Sequence, residues 1–217
     1  MGALNHSHQV RIFDPANARK TVVFGVGAVG SWLVEFLVRM GVKDIEVWDD
    51  DFVASDNLPY SRYLPKHLQM YKVDALRQIL AELGVELAVH RERYVGQVEY
   101  RNVSVVSCVD DMIPRNTIWD MVKRQRISID LFCDTRMAGA YVEAFAIAPC
   151  DPKDVRRYEA MLFPNEEAIL QACGNHNIAY AASRAAGIVA ANLTQFWSHG
   201  TKEWLRRERC DTLKVVP

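Results

Sequence analysis

Cysteine is scarce and unpaired in this sequence. The five cysteines, Cys108, Cys133, Cys150, Cys173 and Cys210, form no Cys-x-x-Cys pair. An odd count without metal-ligand spacing argues against a disulfide framework or a structural zinc site and predicts reduced thiols in a cytoplasmic protein. Long apolar runs are missing as well, and none reaches the ~18–20 residues that a membrane span needs. The opening stretch, MGALNHSHQVRIFDP, lacks the basic-then-apolar order of a signal peptide. Asn5-His6 does not complete a myristoylation pattern after Gly2. Net charge is nearly absent, since 26 Lys and Arg against 27 Asp and Glu leave −1. The chain therefore has no global basic bias towards nucleic acid. Its densest basic stretch, Arg206-Arg207-Glu208-Arg209, reads as a solvated helix face. Internal repeats and low-complexity linkers are also missing. The 217 residues, half of them hydrophobic, suit an N-terminal arm over 1–19 and a single nucleotide-binding domain over 20–217.

The chemistry begins at residues 21–30, TVVFGVGAVG. A β-rich apolar run enters the turn Gly25-Val26-Gly27-Ala28-Val29-Gly30. A helix leaves it with apolar residues at Val29, Trp32, Leu33, Phe36, Leu37 and Met40, the spacing of one buried face. A second run, Ile45–Trp48, ends at Asp49-Asp50-Asp51. Strand, glycine turn, helix, strand and acid together form the dinucleotide-binding fingerprint. Gly25 permits the tight turn, Gly27 lets a phosphate approach the backbone, and Gly30 lets helix and strand pack closely. An acid roughly 20 residues on can hold ribose hydroxyls. Free N–H groups at the helix start attract anions.

Further elements follow in an α/β order. Helices are expected over about 66–83, 114–125 and 179–197, and strands over 85–90, 103–109, 127–132 and 139–148. The gap before the strand at 139 is too short for a helical crossover, so that strand is expected to join antiparallel. The fold class is α/β, a doubly wound Rossmann-like, mostly parallel sheet with antiparallel C-terminal strands. The alanine-rich last helix suggests close packing on the sheet or on a partner.

The stretch GVGAVGSWLVEFLVRMGVKDIEVWDDDFVASDNL resembles the ThiF/MoeB/HesA family, bacterial relatives of ubiquitin-activating enzymes. The matching positions are Asp49, Asp51, Val53, Asn57 and Leu58, then Lys72 about 15 residues on, then Asp110 and Arg115 after the fourth strand. The resemblance covers about residues 20–148. It implies an ATP-dependent adenylyltransferase, a homodimer, that activates the C-terminal carboxylate of a small ubiquitin-like or sulfur-carrier protein. By this resemblance ATP and Mg²⁺ are the cofactors. Gly25, Gly27, Ala28 and Gly30 line the nucleotide loop and Asp49 holds the ribose. Asp51 lies beside it, Asn57 bonds phosphate, Lys72 neutralises phosphate charge and Asp110 holds Mg²⁺. Arg115 completes the set, and Arg11 or Arg19 of the arm could reach a neighbouring subunit.

The sequence departs from the family pattern in three ways. The family's Asn-Leu-x-Arg-Gln is here Asn57-Leu58-Pro59-Tyr60-Ser61-Arg62, so Tyr60 holds the position of the triphosphate arginine, and Arg62, two residues later, could reach the phosphates if the loop bulges. Arginine suits that task through its permanent charge and forked donors. The paired Cys-x-x-Cys zinc ligands of many members are missing. The chain is also short, without the extra domains of the eukaryotic enzymes. Cys173, before the last helix and near His176, is the best candidate nucleophile for a second step, although buried cysteines are commonly structural. The alternative to an enzyme is a non-catalytic Rossmann interaction subunit that holds a nucleotide or NAD without turnover.

Overall fold

Val22, Val23 and Phe24 are buried on both faces of the chain, as the centre of a covered parallel sheet requires. In the computed structural model, which describes residues 4–96, 98–163, 177–212 and 214–216, they form β1 (Lys20–Phe24). This strand lies parallel between β2 (Ile45–Trp48) and β4 (Val103–Ser107). β3 (Ala88–His90) pairs with β2, and β5 (Ile129–Ala138) with β4, also in parallel. β6 (Tyr141–Ile147), β7 (Leu205–Arg209) and β8 (Lys214–Val216) then add antiparallel. The order is β3-β2-β1-β4-β5-β6-β7-β8. The chain is thus the mixed α/β fold its sequence predicts, parallel first and antiparallel later.

Successive strand residues point to opposite faces, so each strand feeds two cores. On one face Val23, Val106 and Leu131 pack with α1 (Ala28–Arg39), α2 (Lys72–Ala81) and α5 (Ala179–His199). On the other, Val22, Phe24, Val105 and Phe132 pack with α3 (Met112–Arg124) and with Tyr158 of α4 (Pro152–Glu159). Ala181, Ala182, Ala185 and Ala186 are fully buried. The packing neighbours of α5 are α1, β5 and β6, so these alanines serve close packing within the chain. Residues of the arm fold back: Phe13 is buried with its ring 5.9 Å from Trp197, and the Gln9 amide donates to the Met40 carbonyl at 2.7 Å. Among the described residues no helix is long and apolar enough to cross a membrane.

Three local expectations change. The helix expected from 66 begins at Lys72, because Gln69 adopts a left-handed φ of 66° after the single turn Pro65–His67. β3 is shorter than expected and starts only at Ala88, beyond the left-handed turn at Gly84. The basic stretch 206–209 is not a helix face but most of β7. Its charges are held by acids: Glu208 accepts from Arg184 at 2.6 and 2.8 Å and from Arg206 at 2.8 Å, and Arg207 meets Glu143 at 2.7 Å. Alternating long side chains can serve a strand when their stems cover the sheet and their heads find partners.

Candidate nucleotide site

Strand order reverses between β1 and β4, and in open α/β sheets the crevice at such a point, beyond the carboxyl ends of the strands, is where ligands bind. The glycine turn occupies it. Gly25 has φ 85°, and a Cβ there would lie 2.8 Å from the Cys108 carbonyl oxygen. A Cβ on Gly30 would lie 2.0 Å from the Gly25 carbonyl oxygen, so helix and turn can approach only because neither carries a side chain. Gly27 differs. A Cβ there would meet nothing within 4 Å, which leaves an open cradle over the start of α1. No side chain caps that helix, so its first N–H groups are available to an anion.

The turn is clamped through Val26. Its N–H donates to Asp49 Oδ2 at 2.8 Å, and its carbonyl accepts the Tyr63 hydroxyl at 2.5 Å. Asp49 Oδ1 accepts the Asp51 N–H at 2.9 Å, and the Lys72 ammonium meets Asp51 Oδ2 at 2.7 Å. Lys72 starts α2, and its own N–H is tied to the Asp51 carbonyl at 2.9 Å. Burial pushes the Asp49 carboxyl up, and the Lys72 charge partly opposes the rise. Burial alone would lower the Lys72 ammonium, but Asp49, Asp51 and Asp110 outweigh it, so its pKa is raised and it stays charged. Ligand atoms of Asp49, Asp50 and Asp51 all lie within 4.8 Å of one another, close enough to share a cation. Asp110 is exposed just past β4. The fold therefore brings Gly25, Gly27, Ala28, Gly30, Asp49, Asp51, Lys72 and Asp110 to one crevice. Its open cradle, helix start, single lysine and flanking acids fit a nucleotide phosphate chain with a divalent cation.

Three expected site residues make other bonds. Asn57 caps its own turn: its Oδ1 accepts the Ala54 N–H at 3.1 Å and its Nδ2 donates to Asp56 at 3.1 Å and the Tyr60 hydroxyl at 3.3 Å. Arg62 turns onto α1, where it pairs with buried Glu35 and lies 4.6 Å from the Trp32 ring centre. Its backbone N–H also donates to Ser31 at 3.2 Å, and Trp32 donates to the Tyr60 carbonyl at 3.1 Å, which docks the whole segment on α1. Arg115 is buried. It bonds Asp134, the Val109 carbonyl and, at 3.1 Å, the Thr135 carbonyl. Asp134 also accepts the Tyr158 hydroxyl at 2.9 Å. Asp111 caps α3 by accepting the Ile113 N–H at 2.7 Å.

Cys173 and His176 lie outside the described residues. Among the other thiols, burial pushes Cys108 up to about 12 and raises Cys133 further, so neither is an activated nucleophile. Arg19 is committed to Asp130 at 2.5 Å, while Arg11 is exposed. Sequence reasoning missed Tyr63, which carries no motif signal, and Glu35. The latter had one: a carboxylate one turn after Ser31, within an otherwise apolar helix.

The sequence pattern of the ThiF family matches residues 13–208. The chain is 28% identical over 133 residues to ubiquitin-like modifier-activating enzyme 5 of Caenorhabditis briggsae, a match covering 54% of this chain and 31% of the relative. To the enzyme of the same name from Bombyx mori it is 32% identical over 95 residues, covering 43% and 22%. The chain thus spans at most about a third of the length of these curated relatives. In three dimensions it is similar to Escherichia coli MccB solved with ATP, with a TM-score of 0.74 and 14% identity, covering 97% of this chain and 66% of that one. PaaA gives a TM-score of 0.69 at 14% identity, covering 94% and 64%. At such identity these likenesses establish the fold alone.

Proposed function

This chain belongs to the ThiF family, and from that premise we propose that it is an ATP-dependent adenylyltransferase acting on the C-terminal carboxylate of a small ubiquitin-like or sulfur-carrier protein. In the proposed reaction a carboxylate oxygen attacks the α-phosphorus of ATP. The bond to the bridging oxygen breaks, pyrophosphate leaves with that electron pair, and an acyl-adenylate remains. Phosphorus chemistry of this kind asks mainly for positioning and charge neutralisation. The observation that carries the reading is the meeting of the glycine turn, Asp49 and charged Lys72 at the crevice where the strand order reverses. The Gly27 cradle and the start of α1 take the phosphates, and Lys72 neutralises them. Asp49 keeps a free lone pair on each oxygen for ribose hydroxyls, since a carboxylate offers about four acceptor sites. Asp110 would hold Mg²⁺, which would offset the charge of the phosphates. A homodimer belongs to this reading, and light scattering that returned a monomer mass would remove it.

A test follows from the products. Incubated with ATP, Mg²⁺ and candidate carrier proteins encoded beside its gene, the chain should release pyrophosphate only when a carrier with a free C-terminus is present. Nucleotide binding without release for every such carrier would favour the second reading, a nucleotide-binding interaction subunit. One observation speaks for that reading: the Arg62 guanidinium is held by Glu35.

Lys72 and Arg62 separate phosphate binding from loop support. Lys72→Ala should weaken ATP far more than AMP, by about 1.5–3 kcal/mol for a lost charged hydrogen bond. If Arg62 also serves the phosphates, Arg62→Lys should show the same preference, because the ammonium lacks the fork. If Arg62 only docks its segment on α1, Arg62→Lys leaves the ratio of ATP to AMP affinity at the wild-type value. Calorimetry with both nucleotides decides. An unchanged ratio in both variants would mean that the phosphates lie elsewhere.

A further inference from the structure

At the end of β4 and β5 opposite the nucleotide crevice lies a groove of about 790 Å³. Two turns build it, residues 99–102 leading into β4 and residues 125–128 leading into β5. The strands that follow pair directly, Val103 with Ile129. Gln125 locks the turns together: its Nε2 donates to the Val98 carbonyl at 2.8 Å, and its Oε1 accepts the Tyr100 N–H at 2.6 Å. The Val103 N–H adds a bond to the Ser128 carbonyl at 3.3 Å. The frame is therefore fixed without a partner.

Arg101, Lys123, Arg124 and Arg126 line this groove against one acid, Glu99. Lys123 is answered by Asp120 at 3.2 Å and Glu159 at 3.1 Å. Among the described residues no carboxylate pairs with Arg101, Arg124 or Arg126, and all three are exposed. Cations at the end of α3 suit the negative pole of that helix, which accounts for Lys123 and Arg124. It does not account for Arg101 or Arg126, which lie off the helix. In a chain of net charge −1 this excess is local. Beside it Ile127 is 87% exposed, the most exposed large apolar side chain described.

We propose that this groove docks an acidic segment of a protein partner, with an apolar residue of the segment resting on Ile127. A single-stranded nucleic acid fits the groove less well. Its bases would need an aromatic face to stack on, and the one aromatic lining residue, Tyr100, is buried. Groove and crevice occupy opposite ends of β4, so a docked partner leaves the nucleotide site open.

Fluorescence anisotropy with a labelled peptide of glutamates around a central leucine tests the proposal on the full chain. Binding should be saturable and weaken with salt. The combined variant Arg101→Ser, Arg124→Ser, Arg126→Ser should lose at least about ten-fold in affinity, about 1.4 kcal/mol. The control Lys66→Ser, Arg91→Ser, Arg209→Ser removes the same charge from exposed positions that do not line the groove and should stay within about two-fold of wild type. Arg126→Ser alone gives the same direction if the combined variant does not fold. Ile127→Ser should weaken the leucine peptide and leave an all-glutamate peptide unchanged. No saturable binding, an equal loss in the control, or tighter binding of a single-stranded RNA through the same arginines would each overturn the proposal.

Discussion

Arg115→Ala is expected to lower the melting temperature by about 6–12 °C, the consequence of roughly 3 kcal/mol lost in a chain of this size. The reason is the company that Arg115 keeps. Its guanidinium lies in the core on Asp134 and on the carbonyls of Val109 and Thr135. Burial alone would lower its pKa, yet Asp134 and Tyr158 outweigh that, so the charge is retained. Removing one partner of a buried ion pair typically costs about 3–5 kcal/mol, because the other is left uncompensated. The low end applies here, since Arg136 at 3.3 Å and Tyr158 at 2.9 Å stay on Asp134. Val109 adjoins Asp110, so Arg115 also fixes the turn that presents the assigned Mg²⁺ ligand. Arg115→Lys should recover part of the stability but not the forked span between Asp134 and Val109. Calorimetric melting of the three proteins is the check. A variant as stable as wild type, defective only in nucleotide binding, would instead make Arg115 a residue of the nucleotide site.

Asp49→Ala should weaken ATP and AMP alike, by at least about ten-fold, since one hydrogen bond to a charged acceptor is worth ~1.5–3 kcal/mol. The ribose is common to both nucleotides, which distinguishes this loss from the one expected for Lys72→Ala. Two effects combine. The ribose loses its acceptor, and the N–H groups of Val26 and Asp51 lose theirs. The glycine turn then keeps the Tyr63 hydroxyl on the Val26 carbonyl and its own Gly25 N–H on the Trp48 carbonyl. Asp49→Asn separates the two effects in part. Its amide can accept one of the N–H groups but turns a donor towards the other, so it should fall between wild type and alanine. Calorimetry with ATP and AMP on the three proteins measures this. Wild-type affinity in the alanine variant would show that the nucleotide does not use this crevice.

The glycine turn, the amphipathic α1 and the acid at the end of β2 were legible from residue order because each is a local device. A positive φ at Gly25, a close approach at Gly30 and the apolar spacing of α1 depend on neighbours a few positions away. The parallel-then-antiparallel sheet was legible for a related reason: a short connection between β5 and β6 cannot hold a crossover helix. Side-chain destinations were not. Arg62 stands where a bulged loop could aim it at phosphate, and its pairing with Glu35 follows only from how the segment docks on α1. Arg115 has the spacing of the family's site residue, yet its partner Asp134 reaches it only through the pairing of β4 with β5. Tyr63 clamps Val26 from 37 positions away, with no sequence mark. The stretch 206–209, too, becomes a strand because β6 offers an edge and Glu143 a partner for its arginine. Local sterics and hydrophobic period are written in residue order. A long charged side chain can reach several partners, and only the packed fold decides which of them lies within hydrogen-bonding distance.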